Sequence, residues 1–168
     1  MTGFAALTSA IDYPMLIVTV GAGGERGGCL VGFSTQCSID PPRYAVCISV
    51  QNHTFRLAQR ANVLAVHFPE RHQHGLAELF GQETGDEVDK FAECRWEPGP
   101  DGTPLLADCP NRFVGRVVDR VDAGDHCLYV LDVVEATATS VRATQAGARP
   151  RELLTFQQVR DMDPGHPA

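Results

Sequence analysis

The chain has little positive charge: fourteen Lys and Arg stand against twenty-one Asp and Glu, and Lys90 is the sole lysine among 168 residues. A net charge of -7 leaves no broad basic surface to neutralise a nucleic-acid backbone, so nucleic acid is set aside as a partner. Long apolar runs are also missing. The opening stretch "MTGFAALTSAIDYPMLIVTV" has no basic segment, and its apolar run is far short of the roughly 20 residues that span a bilayer. Neither signal peptide nor membrane anchor is expected, and a cytoplasmic protein is. The six cysteines (Cys29, Cys37, Cys47, Cys94, Cys109, Cys127) form no CxxC pair and no tight CxH pattern. They read as buried thiols in a reducing compartment rather than zinc ligands or a disulfide framework. His72 and His74 lie two apart on an expected helix, so their side chains diverge into solvent, and no metal site is expected.

Familiar catalytic motifs are absent as well. In "GAGGERGG", Gly21 and Gly23 could open a dinucleotide fingerprint, but position 26 is Arg and a strand follows where a helix is required. "GFSTQ" has Gly32 and Ser34 without a glycine at position 36, so it is no nucleophile elbow. The carboxylate pairs Asp86 and Glu87, and Asp161 and Asp163, sit in polar stretches and read as solvated surface.

What is present is ordinary globular usage, 43% apolar and 21% charged, in a length that suits one domain over residues 1–168. A short helix is expected near Phe4 to Ala10, a strand in "PMLIVTV" from Pro14, and a hairpin connection from Gly21 to Gly28. "RYAVCISV" (Arg43 to Val50) reads as the third strand. Asn52 caps a short helix containing Phe55, Leu57 and Ala58, and "NVLAVHF" returns to strand. "RHQHGLAELFG" puts Leu76, Leu79 and Phe80 on one helical face closed by Gly81. A short strand is expected around Glu93 to Glu97 and a turn at Pro100-Asp101-Gly102. "RFVGRVVDRVDAGDHCLYVLDVVEA" supplies two long strands joined at Ala123-Gly124-Asp125. After Thr137 the periodicity fades, and "LLTFQQVRDMDPGHPA" reads as a docked tail or short helix. Many short strands with few helices favour a closed or nearly closed antiparallel barrel.

One stretch asks for a special reason. "GCLVGFSTQCSIDPPRYAVCIS" interrupts sheet-forming sequence with Ser34, Thr35, Gln36 and Ser38, then removes two backbone donors at Pro41 and Pro42. From the residues alone a surface turn and a ligand cradle are equally good readings.

This stretch, together with "YPMLIVTV", "NHTFR", "DKF", "GTPLL" and "DAGDHCLYVLDV" in that order, resembles the flavin reductase-like, FMN-binding split-barrel family over about residues 8 to 136. The resemblance implies a mostly β fold with short helices, a split antiparallel barrel of Greek-key-like order, and a C-terminal tail over about 137–168. It implies FMN, or FAD, reduced by NADH or NADPH, in a homodimer that can hand reduced flavin to a monooxygenase. A non-catalytic FMN-binding or storage protein of the same fold is the alternative, and a deazaflavin cofactor a third reading.

The polar run then becomes a cofactor rim in which Val31, Gly32, Phe33, Ser34, Thr35, Gln36 and Ser38 face the flavin ring, largely through backbone groups. The flavin phosphate is expected at the helix start of Asn52, His53 and Thr54, with Arg56 one turn on. His126 matches a position near flavin and nicotinamide and is the catalytic candidate, and Lys90 and Phe91 lie in the loop beside the pocket. The chain departs from the family at Leu30, Gly32 and Phe33, where relatives often carry Thr and Ser, so hydroxyl contacts are lost there. The tail "LLTFQQVRDM" also lacks the aromatic and basic ending of many relatives.

Overall fold

The computed structural model describes residues 3–139 and 152–165. After a short helix α1 (Gly3–Ser9), the chain enters β1 (Leu16–Ala22), whose alternate side chains find apolar partners on both faces. Leu16, Val18 and Val20 point into the barrel core, while Ile17 packs in a second cluster with Phe80, Phe91 and Leu106. That double burial explains why the run is almost continuously apolar rather than alternating.

β2 (Glu25–Val31) returns antiparallel to β1 with Val20 opposite Gly27. The reversal itself needs only Gly23 and Gly24, both at positive φ (61° and 83°). The hairpin connection expected over Gly21 to Gly28 is therefore mostly strand. The run read as an interruption is also a strand, β3 (Ser34–Ser38), which pairs with β4 (Arg43–Ser49) through a bulge between Gln36 and Ser38. It was illegible as strand because an edge strand has solvent on one side and tolerates polar side chains. The helix α2 (His53–Ala58) begins as expected, with Asn52 Oδ1 accepting the Thr54 N–H at 3.0 Å. Leu57 and Ala58 are buried in the barrel core, a Leu of this kind contributing about 2 kcal/mol.

β5 (Val63–His67) leads to α3 (His74–Gln82). Gly81 lies inside that helix rather than closing it, because its bare Cα faces Leu30 of β2. His74 is half-buried and donates from Nε2 to the Gln158 carbonyl, so of the two histidines read as solvated only His72 is exposed. β6 (Trp96–Pro98) starts later than expected and pairs with β7 (Pro104–Leu106), a strand too short to announce itself. β8 (Arg112–Asp122) and β9 (His126–Thr137) form the long hairpin that the sequence indicated.

Seven strands make one antiparallel sheet in the order β2-β1-β5-β8-β9-β4-β3. The sheet curls but does not close: β2 and β3 are its two free edges, joined in sequence by Gly32 and Phe33. This is a split barrel. A last helix, α4 (Phe156–Val159), belongs to a tail that docks on β1 and α3 through buried Leu154 and Val159 against Met15 and Ala77. The Ala, Thr and Gly-rich part of the tail at 140–151 lies outside the described residues.

Candidate functional site

Where the barrel fails to close, the end of β2 faces the end of β4 across a cavity of about 180 Å³. The main chain is tied at this point by the Cys47 N–H, which donates to the Phe33 carbonyl at 2.9 Å. Strand pairing sets Ser49 opposite His126, so both come to the cavity's edge with Cys47. His126 Nδ1 lies 2.8 Å from the Asp125 carboxylate, which orients the imidazole and holds the Asp125 carboxyl below its ordinary range.

Rings line one side of this space in sequence. Phe156 stacks on Tyr13 (4.9 Å, 17°), Tyr13 meets Phe33 at 6.3 Å, and Phe33 meets His126 at 5.2 Å. Gly32 makes the arc possible, since a Cβ there would lie 2.6 Å from a Tyr13 ring carbon. Asn52 supplies a polar group: its Oδ1 is used as the helix cap, and its Nδ2 makes no hydrogen bond among the described residues. The thiols are not nucleophiles here. Burial pushes Cys29 up to about 11 and raises Cys47, so both stay protonated at neutral pH.

A second cavity, of about 390 Å³, shares Met15, Leu30, Asn52 and Phe156 with the first and runs on to Arg160 and Asp163 of the tail. The two form one groove from His126 to the tail. Its size suits a drug-sized ligand, and its walls suit a flat ring at one end and a polar group at the other.

The structure divides the residues singled out from the sequence. Val31, Gly32, Phe33, Asn52 and His126 come together on the first cavity. Thr35, Gln36 and Ser38 do not; they follow the edge strand, Thr35 and Gln36 exposed and bonded locally. Ser34 sits with Tyr44, their hydroxyl oxygens 3.2 Å apart.

His53, Lys90 and Phe91 line a different pocket, of about 320 Å³, on the other side of α2. Four carboxylates share that pocket: Glu25, Asp86, Glu87 and Asp89. Asp86 accepts from Arg56 and sits 2.9 Å from His53 Nδ1, so the helix start already carries an anion of the protein's own. The carboxylate read as plain solvated surface is thus tied to two of the expected phosphate donors. Thr54 is buried, and its hydroxyl has no hydrogen-bond partner among the described residues. Lys90 is buried too, with Nζ donating to the carbonyls of Gly28 (3.1 Å) and Phe80 (3.2 Å), and burial lowers its pKa. Phe91 packs edge-on between Phe80 and Trp96 in the core.

Sequence reasoning missed Tyr13, Met15, Phe156 and Arg160. Tyr13 stood at the head of a quoted motif, and the glycine at position 32 was the available hint that another side chain fills its space. Phe156 and Arg160 had no local signal, because they reach the groove only through the docking of the tail.

Fold and site together make this a split antiparallel barrel with an aromatic-lined groove at its open seam. The chain belongs to the flavin reductase like domain family, whose sequence pattern matches residues 8–160. It is 30% identical over 132 residues to the FMN reductase (NADH) RutF of Bradyrhizobium diazoefficiens, covering 77% of this chain and 69% of that protein. It is 29% identical over 168 residues to the high molecular weight rubredoxin of Moorella thermoacetica, covering 91% of this chain and 72% of that one. Among solved structures, the FMN-binding protein from Thermus thermophilus matches with a TM-score of 0.71 at 26% identity, over 76% of this chain and 71% of that chain. A flavin reductase domain protein from Arthrobacter sp. has the same fold, with a TM-score of 0.78 at 19% identity over 98% and 94% of the two chains. No helix among the described residues is long and apolar enough to cross a membrane.

Proposed function

We propose that the chain is an NAD(P)H-dependent flavin reductase that takes FMN, or FAD, at the seam of the barrel. The observation that carries this reading is the seam cavity: among the described residues its lining, with Gly32, Phe33, Asn52 and His126, includes no carboxylate, whereas the pocket beyond α2 is lined by four. The flat ring of a flavin suits the aromatic seam cavity better than the pocket beyond α2, where those carboxylates stand beside Arg26, His53 and Lys90. When bound, the flavin supplies the two-electron acceptor that exchanges a hydride with nicotinamide.

The chain's own residues bind and orient. Backbone groups of Val31 to Phe33 face the ring edge, and the Asn52 amide donates from Nδ2. Tyr13 and Phe156 form one wall, and the exposed Phe33 ring stands at its rim. His126 is held through Nδ1 by Asp125, which leaves Nε2 for ligand or nicotinamide. Ser34 to Ser38 act by holding β4 in place rather than by touching the ligand.

The partners we assign are a second copy of the chain and a monooxygenase component that accepts reduced flavin, in the cytoplasm. Exposed Val118, Val121 and Val134 on the β8–β9 hairpin support the first. The name of a structure with this fold, nitrilotriacetate monooxygenase component B from Mycobacterium thermoresistibile (TM-score 0.76, 22% identity), motivates the second. The Thermus FMN-binding protein gives the non-catalytic alternative its weight.

Steady-state oxidation of NADH and NADPH with added FMN, FAD or a deazaflavin separates these readings. Turnover that depends on FMN or FAD supports the reductase. A yellow protein that consumes no pyridine nucleotide under any flavin supply makes it a binding protein, and turnover with the deazaflavin alone reassigns the cofactor.

A further inference from the structure

We propose, resting on the reductase reading above, that Phe33 receives the nicotinamide ring of the hydride donor at the mouth of the seam cavity. Hydride exchange needs two flat rings face to face, with the reacting atoms about 3–3.5 Å apart. At about 180 Å³ the seam cavity is smaller than sites that enclose a whole drug-sized ligand, so it takes one flat ring and leaves no room for a second. The second ring comes in from the open side.

Phe33 stands on that side. Of the described residues that line the cavity it alone is exposed, at 56%, while Met15, Cys29 and Val31 are buried behind it. Covering an open apolar ring of this size removes apolar area from water, which favours a flat ligand laid against it. The ring meets His126 at 5.2 Å with the planes 55° apart, and Tyr13 at 6.3 Å. The His126 side chain is itself 27% exposed, so the rim carries two neighbouring rings with accessible surface.

The main chain fixes the position. Phe33 follows Gly32 in the link between the two free edges, β2 and β3, and its carbonyl accepts the Cys47 N–H of β4 at 2.9 Å. β4 in turn pairs with β9, with Ser49 opposite His126, so one strand holds both members of the rim pair in register. Trimming the exposed phenyl ring therefore removes contact surface without opening the core. An aromatic face also suits the ligand chemically, because the oxidised nicotinamide is a cation and a ring face attracts cations. A Ser or Thr in its place would offer one hydroxyl and no stacking surface.

The test is a calorimetric titration of the full chain loaded with FMN, comparing NAD+ with ADP-ribose, which is the same molecule without the nicotinamide ring. Phe33→Ala is expected to weaken NAD+ binding roughly 3- to 10-fold, while ADP-ribose and FMN stay within about twofold of wild type. Phe33→Trp, which keeps an aromatic face, should retain the preference for NAD+. Phe4→Ala, which removes another exposed phenyl ring on α1, should change nothing. Unchanged NAD+ affinity in Phe33→Ala overturns the assignment, and so does an equal loss of NAD+ and ADP-ribose. An FMN loss as large as the NAD+ loss also overturns it, since Phe33 would then cover the flavin. A wild type that binds FMN without preferring NAD+ to ADP-ribose does the same. If wild type binds neither FMN nor FAD, the flavin reading fails and takes the assignment with it, an outcome distinct from those in which flavin binds and only the nicotinamide contact is missing.

Discussion

Gly32→Ala puts the aromatic arc to the test directly. An ideal Cβ at this position falls 2.6 Å from Tyr13 Cε2 and 3.3 Å from the Met15 sulfur, against an ordinary contact distance of at least 3.4 Å. Met15 can yield by changing rotamer, but the Tyr13 ring must retreat by nearly an ångström. That ring is stacked on Phe156, and the Tyr13 carbonyl accepts the Phe156 N–H, so retreat loosens the stack before anything else. An aromatic pair of this kind is worth about 0.5–1.5 kcal/mol. For a chain of this length a loss near 1 kcal/mol lowers the melting temperature by about 2–4 °C. The same displacement disturbs the wall proposed for the flavin ring, and a comparable energy corresponds to about fivefold in Kd. Thermal unfolding and FMN titration read the two effects. Tyr13→Ala in the Gly32→Ala background removes the clash, so the double variant should lose less than the sum of the singles. A Gly32→Ala protein with wild-type melting temperature and wild-type FMN affinity would refute the packing argument.

Four further outcomes are expected. His67 is fully buried and burial lowers its pKa to about 3, its Nδ1–H donating to the Ile17 carbonyl while Nε2 accepts the Leu106 N–H. The unfolded chain takes up this proton near pH 6.5 and the folded chain does not. Stability therefore falls by about 1.4 kcal/mol per unit as pH drops below 6.5 toward 3. His67→Gln should flatten that slope in denaturant melts between pH 6.5 and 5, and an unchanged slope would show that His67 is not its source. Asn52→Asp keeps the helix cap but removes the Nδ2 donor and adds a negative charge, so FMN affinity should fall several-fold with little change in melting temperature. Asp86→Asn frees Arg56 and His53 at the start of α2 and removes a negative charge there, so FMN affinity should rise several-fold in a fluorescence titration, and an unchanged affinity would show that these groups do not meet the phosphate. His126→Ala should slow nicotinamide oxidation more than it weakens flavin binding, and an equal loss in both would make the residue structural.

Much of this architecture is legible in the sequence. The β8–β9 hairpin, the Asn52 cap and the apolar β1 run are local features in which propensity, periodicity and turn chemistry agree. β3 was not legible, because an edge strand with Ser and Thr side chains looks like a loop to a hydrophobic pattern. Gly81 looked like a helix stop, yet its role is to let α3 approach Leu30 on β2, a contact between distant segments. The site divides in the same way. Asn52 was visible as a local helix cap, whereas Gly32, Phe33 and His126 were singled out through the family resemblance, and the structure brings all four to one cavity. Tyr13 and Phe156 meet only after the tail docks, and the partners of Arg56 and Lys90 lie in other segments, so a residue list cannot reveal that those cations are already engaged.

A crystal structure of the protein soaked with FMN decides the matter most directly. The account predicts the flavin ring against Gly32, Asn52 and His126 at the seam of the barrel. Flavin bound instead in the acidic pocket between Glu25 and Asp89, with the seam empty, would contradict it.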